Sequence, residues 1–131
     1  MPVKLFGLAL LLVPVLLAGC GKEGSDPGIE RSARQAEQHS RTLFPVQPAL
    51  KEIYNRSCRN CHTIAATGAP LTGDALNWAP RMNKGMDTLL NNVIDGFGGM
   101  PPFGMCMECE VEQFEELITF MAGAQAPAHH D

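Results

Sequence analysis

CRNCH, residues Cys58 to His62, places two thiols three positions apart and an imidazole directly after the second. On a helix, residues i and i+3 lie on one face, so both thiols can meet a single flat partner. His62 follows at once and can turn its ring toward the centre of that partner. C-x-x-C-H is the attachment motif of a c-type haem, in which the thiols add to two vinyl groups and the histidine meets the iron. Two other chemistries use paired cysteines. A four-cysteine zinc site would take Cys106 and Cys109 as its second pair, but the gap between the pairs is long. A thioredoxin-like redox pair belongs with a βαβ pattern, and no stretch of this chain alternates convincingly as a strand. One covalently attached haem c is therefore the expected cofactor.

How the remaining cysteines behave depends on where the chain resides. Lys4 makes a short positive start, and Phe6 to Ala18 is an apolar run containing Pro14. The run falls short of the roughly 20 apolar residues that a spanning helix needs. It reads as a secretory signal over residues 1–19. It ends in Leu17-Ala18-Gly19-Cys20, which resembles the bacterial lipobox. Cleavage before Cys20 and lipidation of its thiol would anchor the protein to a membrane. An ordinary cleavage site beside a chance cysteine is the plainer alternative. Gly21 stands where an Asp would suggest retention at the inner membrane, which tilts the expected periplasmic anchor toward the outer membrane. Outside the cytoplasm, disulfides persist.

Residues 20–45 read as the lipidated cysteine and a polar tether. From Gly21 to Gln47 the charges balance at four of each sign, and Ile29 to Arg41 offers a transient helix with almost no apolar face. The folded domain is expected over 46–124, a size at which a core usually needs a disulfide, metal or cofactor as a staple. Its expected class is all-α, with three main helices around the haem. The first opens at Pro48 and runs to about Cys61, with Leu50, Ile53, Tyr54, Cys58 and Cys61 on one face. The second covers Met86 to Ile94 and stops at Gly96. The third covers Val111 to Ala122, with Val111, Phe114, Leu117, Ile118 and Met121 on one stripe. Gly68 to Asn77 and Gly96 to Cys109 read as ordered loops. Residues 125–131 read as a disordered tail, where His129 and His130 suit a frayed end better than a metal site.

The domain resembles a class I cytochrome c, and in particular the cytochrome c5 type. The resemblance rests on pieces in matching order and spacing across nearly the whole domain. They are Ile53-Tyr54, the C-x-x-C-H, Gly68-Ala69-Pro70, Trp78-Ala79-Pro80-Arg81, Gly85 to Leu90, Gly99-Met100-Pro101-Pro102, Cys106-x-x-Cys109 and Phe120-Met121. It implies a small all-α fold in which the first and last helices cross near an exposed haem edge. It implies that the Pro70 carbonyl accepts the Nδ1 proton of His62, fixing the tautomer of the iron ligand. Trp78 and Arg81 would lie at the haem propionates. Phe103, Met105, Glu110 and Phe120 depart from the usual family residues, so the resemblance carries least about partner recognition.

Such a haem takes a second axial ligand. Met121 and Met86 lie on helices as core or cap residues, Met82 is too near His62 in sequence, and Met107 sits between two cysteines. Met100 and Met105 remain. Met100 follows Gly98-Gly99 and precedes Pro101-Pro102. The glycines let backbone pass close to a flat ring, and the prolines stiffen the chain behind the ligand. Met100 is also the position that the resemblance implies, so His62 and Met100 are the expected iron ligands. Thioether ligation raises the potential. Cys106 and Cys109 are expected to pair as a disulfide that ties the Met100 loop to the last helix. A thiol-exchange centre is the alternative.

The formal net charge of −4 argues against non-specific nucleic-acid binding, which needs a basic footprint. No acid lies between Ile53 and Gly73, while Arg56 and Arg59 flank the haem cysteines and glutamates gather from Glu108 to Glu116. A charge dipole that steers an acidic partner to the arginines is one expectation; ordinary solvated helix faces are the other. Together these features predict a monomeric, membrane-anchored one-electron carrier of a bacterial respiratory chain. It would meet redox proteins of the cell envelope transiently and would not be an enzyme. A haem protein whose Met100 comes off for ligand sensing or peroxidase-like chemistry, or a thiol-redox protein, are the alternatives.

Overall fold

The computed structural model describes residues 27–123. Its five helices are α1 (Pro27–Thr42), α2 (the continuous run 48–62), α3 (Ala75–Met82), α4 (Met86–Asp95) and α5 (Val111–Met121). There is no strand among the described residues. An isolated antiparallel bridge joins Phe97 to Met100.

Helix α2 starts where the sequence expects it. Gln47 is extended and Pro48 occupies the first turn, where a missing N–H costs nothing. Leu50, Ile53 and Tyr54 are buried. From Tyr54 to Cys58 the helix widens into a π turn, in which the Arg59 N–H donates to the Tyr54 carbonyl five residues back. The expectation of one regular helix is corrected here. A π turn holds one residue more than an α turn, so it rotates everything after it about the axis. It ends at the first haem-motif cysteine.

Helix α4 is framed by Gly85 and Gly96, both with positive φ and extended ψ. Helix α5 opens with a reciprocal cap, in which Glu110 accepts from the N3 backbone and the Gln113 side chain accepts from the Glu110 N–H. Helices α2, α4 and α5 bury Leu50, Ile53, Leu90, Val93, Phe114 and Leu117 in one cluster. The Tyr54 and Phe120 rings meet edge to face at 5.2 Å, which locks the first domain helix onto the last. The architecture is all-α among the described residues, as the sequence predicts.

One element was not expected, and another is docked where only a transient helix was expected. Helix α3 is nucleated by Asp74, whose carboxylate accepts from the Asn77 N–H. It buries Trp78 but leaves Leu76 88% exposed and contains Pro80. Helix α1 replaces most of the expected tether. It is polar, but its C-terminal half rests on the domain, and Ser40 is fully buried. Phe44, just beyond it, meets Tyr54 edge to face at 6.4 Å. The signal, Cys20, Gly21 and the tail with His129 and His130 lie outside the described residues. Among the described residues, no helix is long and apolar enough to cross a membrane.

Candidate haem site

His62 ends α2 and is buried. Its Nδ1 lies 2.9 Å from the Pro70 carbonyl oxygen. A carbonyl only accepts, so Nδ1 carries the proton and Nε2 keeps its lone pair. The same residue's own carbonyl accepts from the Thr72 N–H at 2.8 Å and from Ser40 Oγ at 3.0 Å. Burial holds the imidazole below the ordinary histidine pKa; the Pro70 bond opposes this and the Arg81 charge adds to it. The ring is therefore a neutral donor with one free nitrogen.

Trp78 stacks on His62, with ring centroids 5.9 Å apart and planes 26° from parallel. Its indole N–H donates to the Leu71 carbonyl at 2.9 Å. Arg81 lies one turn further along α3, half-buried, and donates to the Asn77 carbonyl. Of the two residues expected at the propionates, Trp78 already has a backbone acceptor, while the Arg81 guanidinium keeps further N–H groups.

Cys58 and Cys61 are not bonded to each other. Burial pushes the Cys58 thiol up to about 11, with Arg56 opposing and Cys61 adding. A redox-active pair needs a depressed pKa; the raised one argues against dithiol chemistry at this motif. The four-cysteine zinc arrangement is not assembled either: among the described residues no group of three or more His, Cys, Asp or Glu side chains could hold a metal ion.

The Met100 loop is built on close backbone approaches. Phe97 and Met100 exchange backbone hydrogen bonds of 3.1 and 3.0 Å across Gly98-Gly99. A Cβ on Gly104 would lie 3.3 Å from the Met100 methyl, and one on Gly96 would lie 2.8 Å from the Met100 carbonyl. Phe103 and Met105 both take left-handed backbone, with φ of 56° and 68°. Met100, Cys58 and Phe103 are partly buried against the cluster that contains Trp78. Met105 is 70% exposed, and Phe97, in the same loop, is 64% exposed. The sequence marks Phe97 only by its place directly after Gly96.

Cys106 and Cys109 form a disulfide, with Cα atoms 5.4 Å apart. Arg56 of α2 donates to Cys106 Sγ at 3.3 Å and pairs with Glu108. Arg59 donates to the Arg41 carbonyl at 3.0 Å and lies over the Phe44 ring. Arg56 is thus ion-paired, whereas Arg59, held by a carbonyl and a ring, keeps its full charge.

Residues 46–121 match the family model described as cytochrome c oxidase, cbb3-type, subunit III. The chain is 35% identical over 74 residues to a cytochrome c5 of Ectopseudomonas mendocina, a match covering 55% of this chain and 85% of that protein. The chain belongs to the class I c-type cytochromes. A cytochrome c-555 of Chlorobaculum tepidum is 37% identical over 79 residues, covering 57% of this cytochrome and 73% of that one. A crystal structure of an electron-transfer complex of nitrite reductase with cytochrome c contains a chain 32% identical to it. That match has a TM-score of 0.51 and covers 60% of this cytochrome and 95% of the solved chain. As a c-type cytochrome the protein carries one covalently attached haem and transfers electrons. The donor set fits that group: two thiols not paired with each other, the second of them exposed, and an imidazole with a free Nε2, with Cys58 and the Met100 thioether packed against the apolar cluster whose Trp78 stacks on His62. The family match starts after α1, the helix that touches the His62 loop.

Proposed function

We propose that this cytochrome is a one-electron carrier with His62 and Met100 as axial ligands and Cys58 and Cys61 as the thioether anchors. The haem supplies a metal centre that cycles between two oxidation states. The single observation that carries the ligand assignment is the His62–Pro70 bond, which leaves Nε2 as the ring's free donor. Met100 answers it from a loop stiffened by Pro101 and Pro102 and packed on the Trp78 cluster. His62 and Met100 would together hold the iron and leave no coordination site for a substrate, which supports a carrier rather than an enzyme. Arg81 would meet propionate charge through its remaining N–H groups, and Trp78, stacked on His62, would keep that ring in its orientation. Cys106 is fully buried, which favours a structural disulfide over a thiol-exchange role.

The domain occupies 46–124 in this reading. A signal over residues 1–19 and lipid on Cys20 place the protein in the periplasm, anchored to a membrane, with Gly21 tilting the choice to the outer one. Its partners are redox proteins of the respiratory chain, met transiently. The solved relative lies in a complex with nitrite reductase, which supports partners of that kind.

The ligand assignment is tested by Met100→Ala. Ferric wild-type protein should show the weak near-infrared thioether–iron band, and the variant should lose it and bind carbon monoxide at neutral pH when reduced. A band that survives the substitution would transfer the assignment to Met105.

A further inference from the structure

Helix α1 lies outside the segment matched by the family model, yet it touches the most sensitive part of the fold. Three of its contacts reach the chain between the haem motif and Gly73. Ser40 Oγ donates to the His62 carbonyl at 3.0 Å, and both groups are buried. The Glu37 carboxylate accepts from the Ala65 N–H at 3.0 Å. Leu43, just past the helix end, sits so close to Gly73 that a Cβ there would overlap its side chain. A fourth contact, from Arg59 to the Arg41 carbonyl, fastens the end of α1 to α2.

These contacts bear on a closed loop. The segment from His62 to Thr72 is shut on itself by two bonds, Thr72 N–H to the His62 carbonyl and His62 Nδ1–H to the Pro70 carbonyl. The second bond sets how strongly the imidazole donates to a metal. Its length depends on where the backbone of residues 65–70 sits relative to residue 62. Ser40 holds one end of that segment and Glu37 holds its middle. A surface helix added only for solubility or reach would not bury a serine hydroxyl against a ligand's own carbonyl, because burying an unpaired hydroxyl is costly and burying a paired one fixes position.

We propose that α1 is a built-in brace for the proximal ligand, with Ser40 and Glu37 as positioning residues that keep the Pro70 carbonyl on His62 Nδ1. The brace holds the imidazole in its strongly donating state and so keeps the potential lower than the domain alone would set it. The statement about potential rests on His62 being the iron ligand; the statement about the loop does not.

The test uses full-length, haem-loaded protein carrying Ser40→Ala, Glu37→Ala or Glu37→Gln, with site-resolved hydrogen exchange and a redox titration. One lost buried hydrogen bond should speed exchange of His62 Nδ1–H and the Thr72 N–H about fivefold in Ser40→Ala. The Leu117 and Ile118 amides of α5 should keep their wild-type rates, and the potential should rise. Glu37→Ala should speed exchange of the Ala65 N–H, and Glu37→Gln should restore it, since an amide oxygen still accepts. Unchanged exchange at His62, or equal acceleration in α5, overturns the brace. Local acceleration with a fixed potential upholds the brace and overturns His62 as the ligand that the iron feels.

Discussion

Gly96 and Gly85 take nearly the same backbone, with φ of 82° and 88° and ψ of 153° at both. This region is essentially closed to residues with a Cβ and costs on the order of 1–3 kcal/mol when one is forced in. Their surroundings differ. A Cβ on Gly85 meets nothing within 4 Å, whereas one on Gly96 runs into the Met100 carbonyl at 2.8 Å and Pro102 N at 3.1 Å. Both Ala variants should therefore lose stability in denaturant unfolding. Only Gly96→Ala should also weaken the near-infrared thioether band, because only there does the new methyl push on the Met100 backbone. Equal spectra in the two variants would mean that Met100 is held by its side-chain packing and not by its loop. The tight Met100 loop was legible in the sequence, since glycines before Met100 and prolines after it mark a stiff close approach. The roles of Ser40 and Glu37 were not, because a polar residue that reaches across to a backbone group leaves no periodic signal.

At the level of elements, helices α2, α4 and α5 were legible because each buries an apolar stripe at helical spacing. Helix α3 was not, since one buried tryptophan, an exposed Leu76 and an internal Pro80 make no stripe. Helix α1 was legible as a weak helix but not as a docked one, for its buried contacts are hydrogen bonds. The π turn in α2 was invisible for a related reason: the apolar positions before it fit either pitch. At the Met100 side the Cys106–Cys109 disulfide closes the turn before α5, and Arg56 reaches from the π turn of α2 to both Cys106 and Glu108 of that turn. The disulfide closes a very short loop, so the chain-entropy gain is modest, about 2 kcal/mol. Replacing both cysteines by alanine should lower unfolding stability by roughly that amount. The thioether band of the variant should fade at a lower temperature than in wild type. A variant as stable as wild type, with an unchanged band, would mean that the apolar cluster alone holds the axial loop.

Over the whole molecule, two carboxylates guard two separate seams. Glu37 joins α1 to the loop after the haem motif, and Glu108 joins the axial turn to α2 through Arg56. The Ala65 N–H, and then Arg41, hold Glu37 below the ordinary carboxylate value of 4.5. A backbone hydrogen bond within its own residue, and then Arg56, do the same for Glu108. A depressed folded-state pKa means that the unfolded chain takes up protons first as acid is added. The stabilisation is therefore complete above about pH 4.5 and drains away as pH falls through the lower folded-state values. Glu108 is mostly exposed, so water and salt screen its share. Denaturant unfolding at a series of pH values should give a plateau at neutral and mildly acidic pH and a decline below it. Glu37→Gln should make the decline shallower, and adding Glu108→Gln should make it shallower again, because the seams share no residue. The protection of the Ala65 N–H relative to its intrinsic exchange rate should fall below that threshold in wild type and be indifferent to acid in Glu37→Gln. An acid limb of the same slope in all three proteins would place the acid sensitivity elsewhere and leave both seams held by packing.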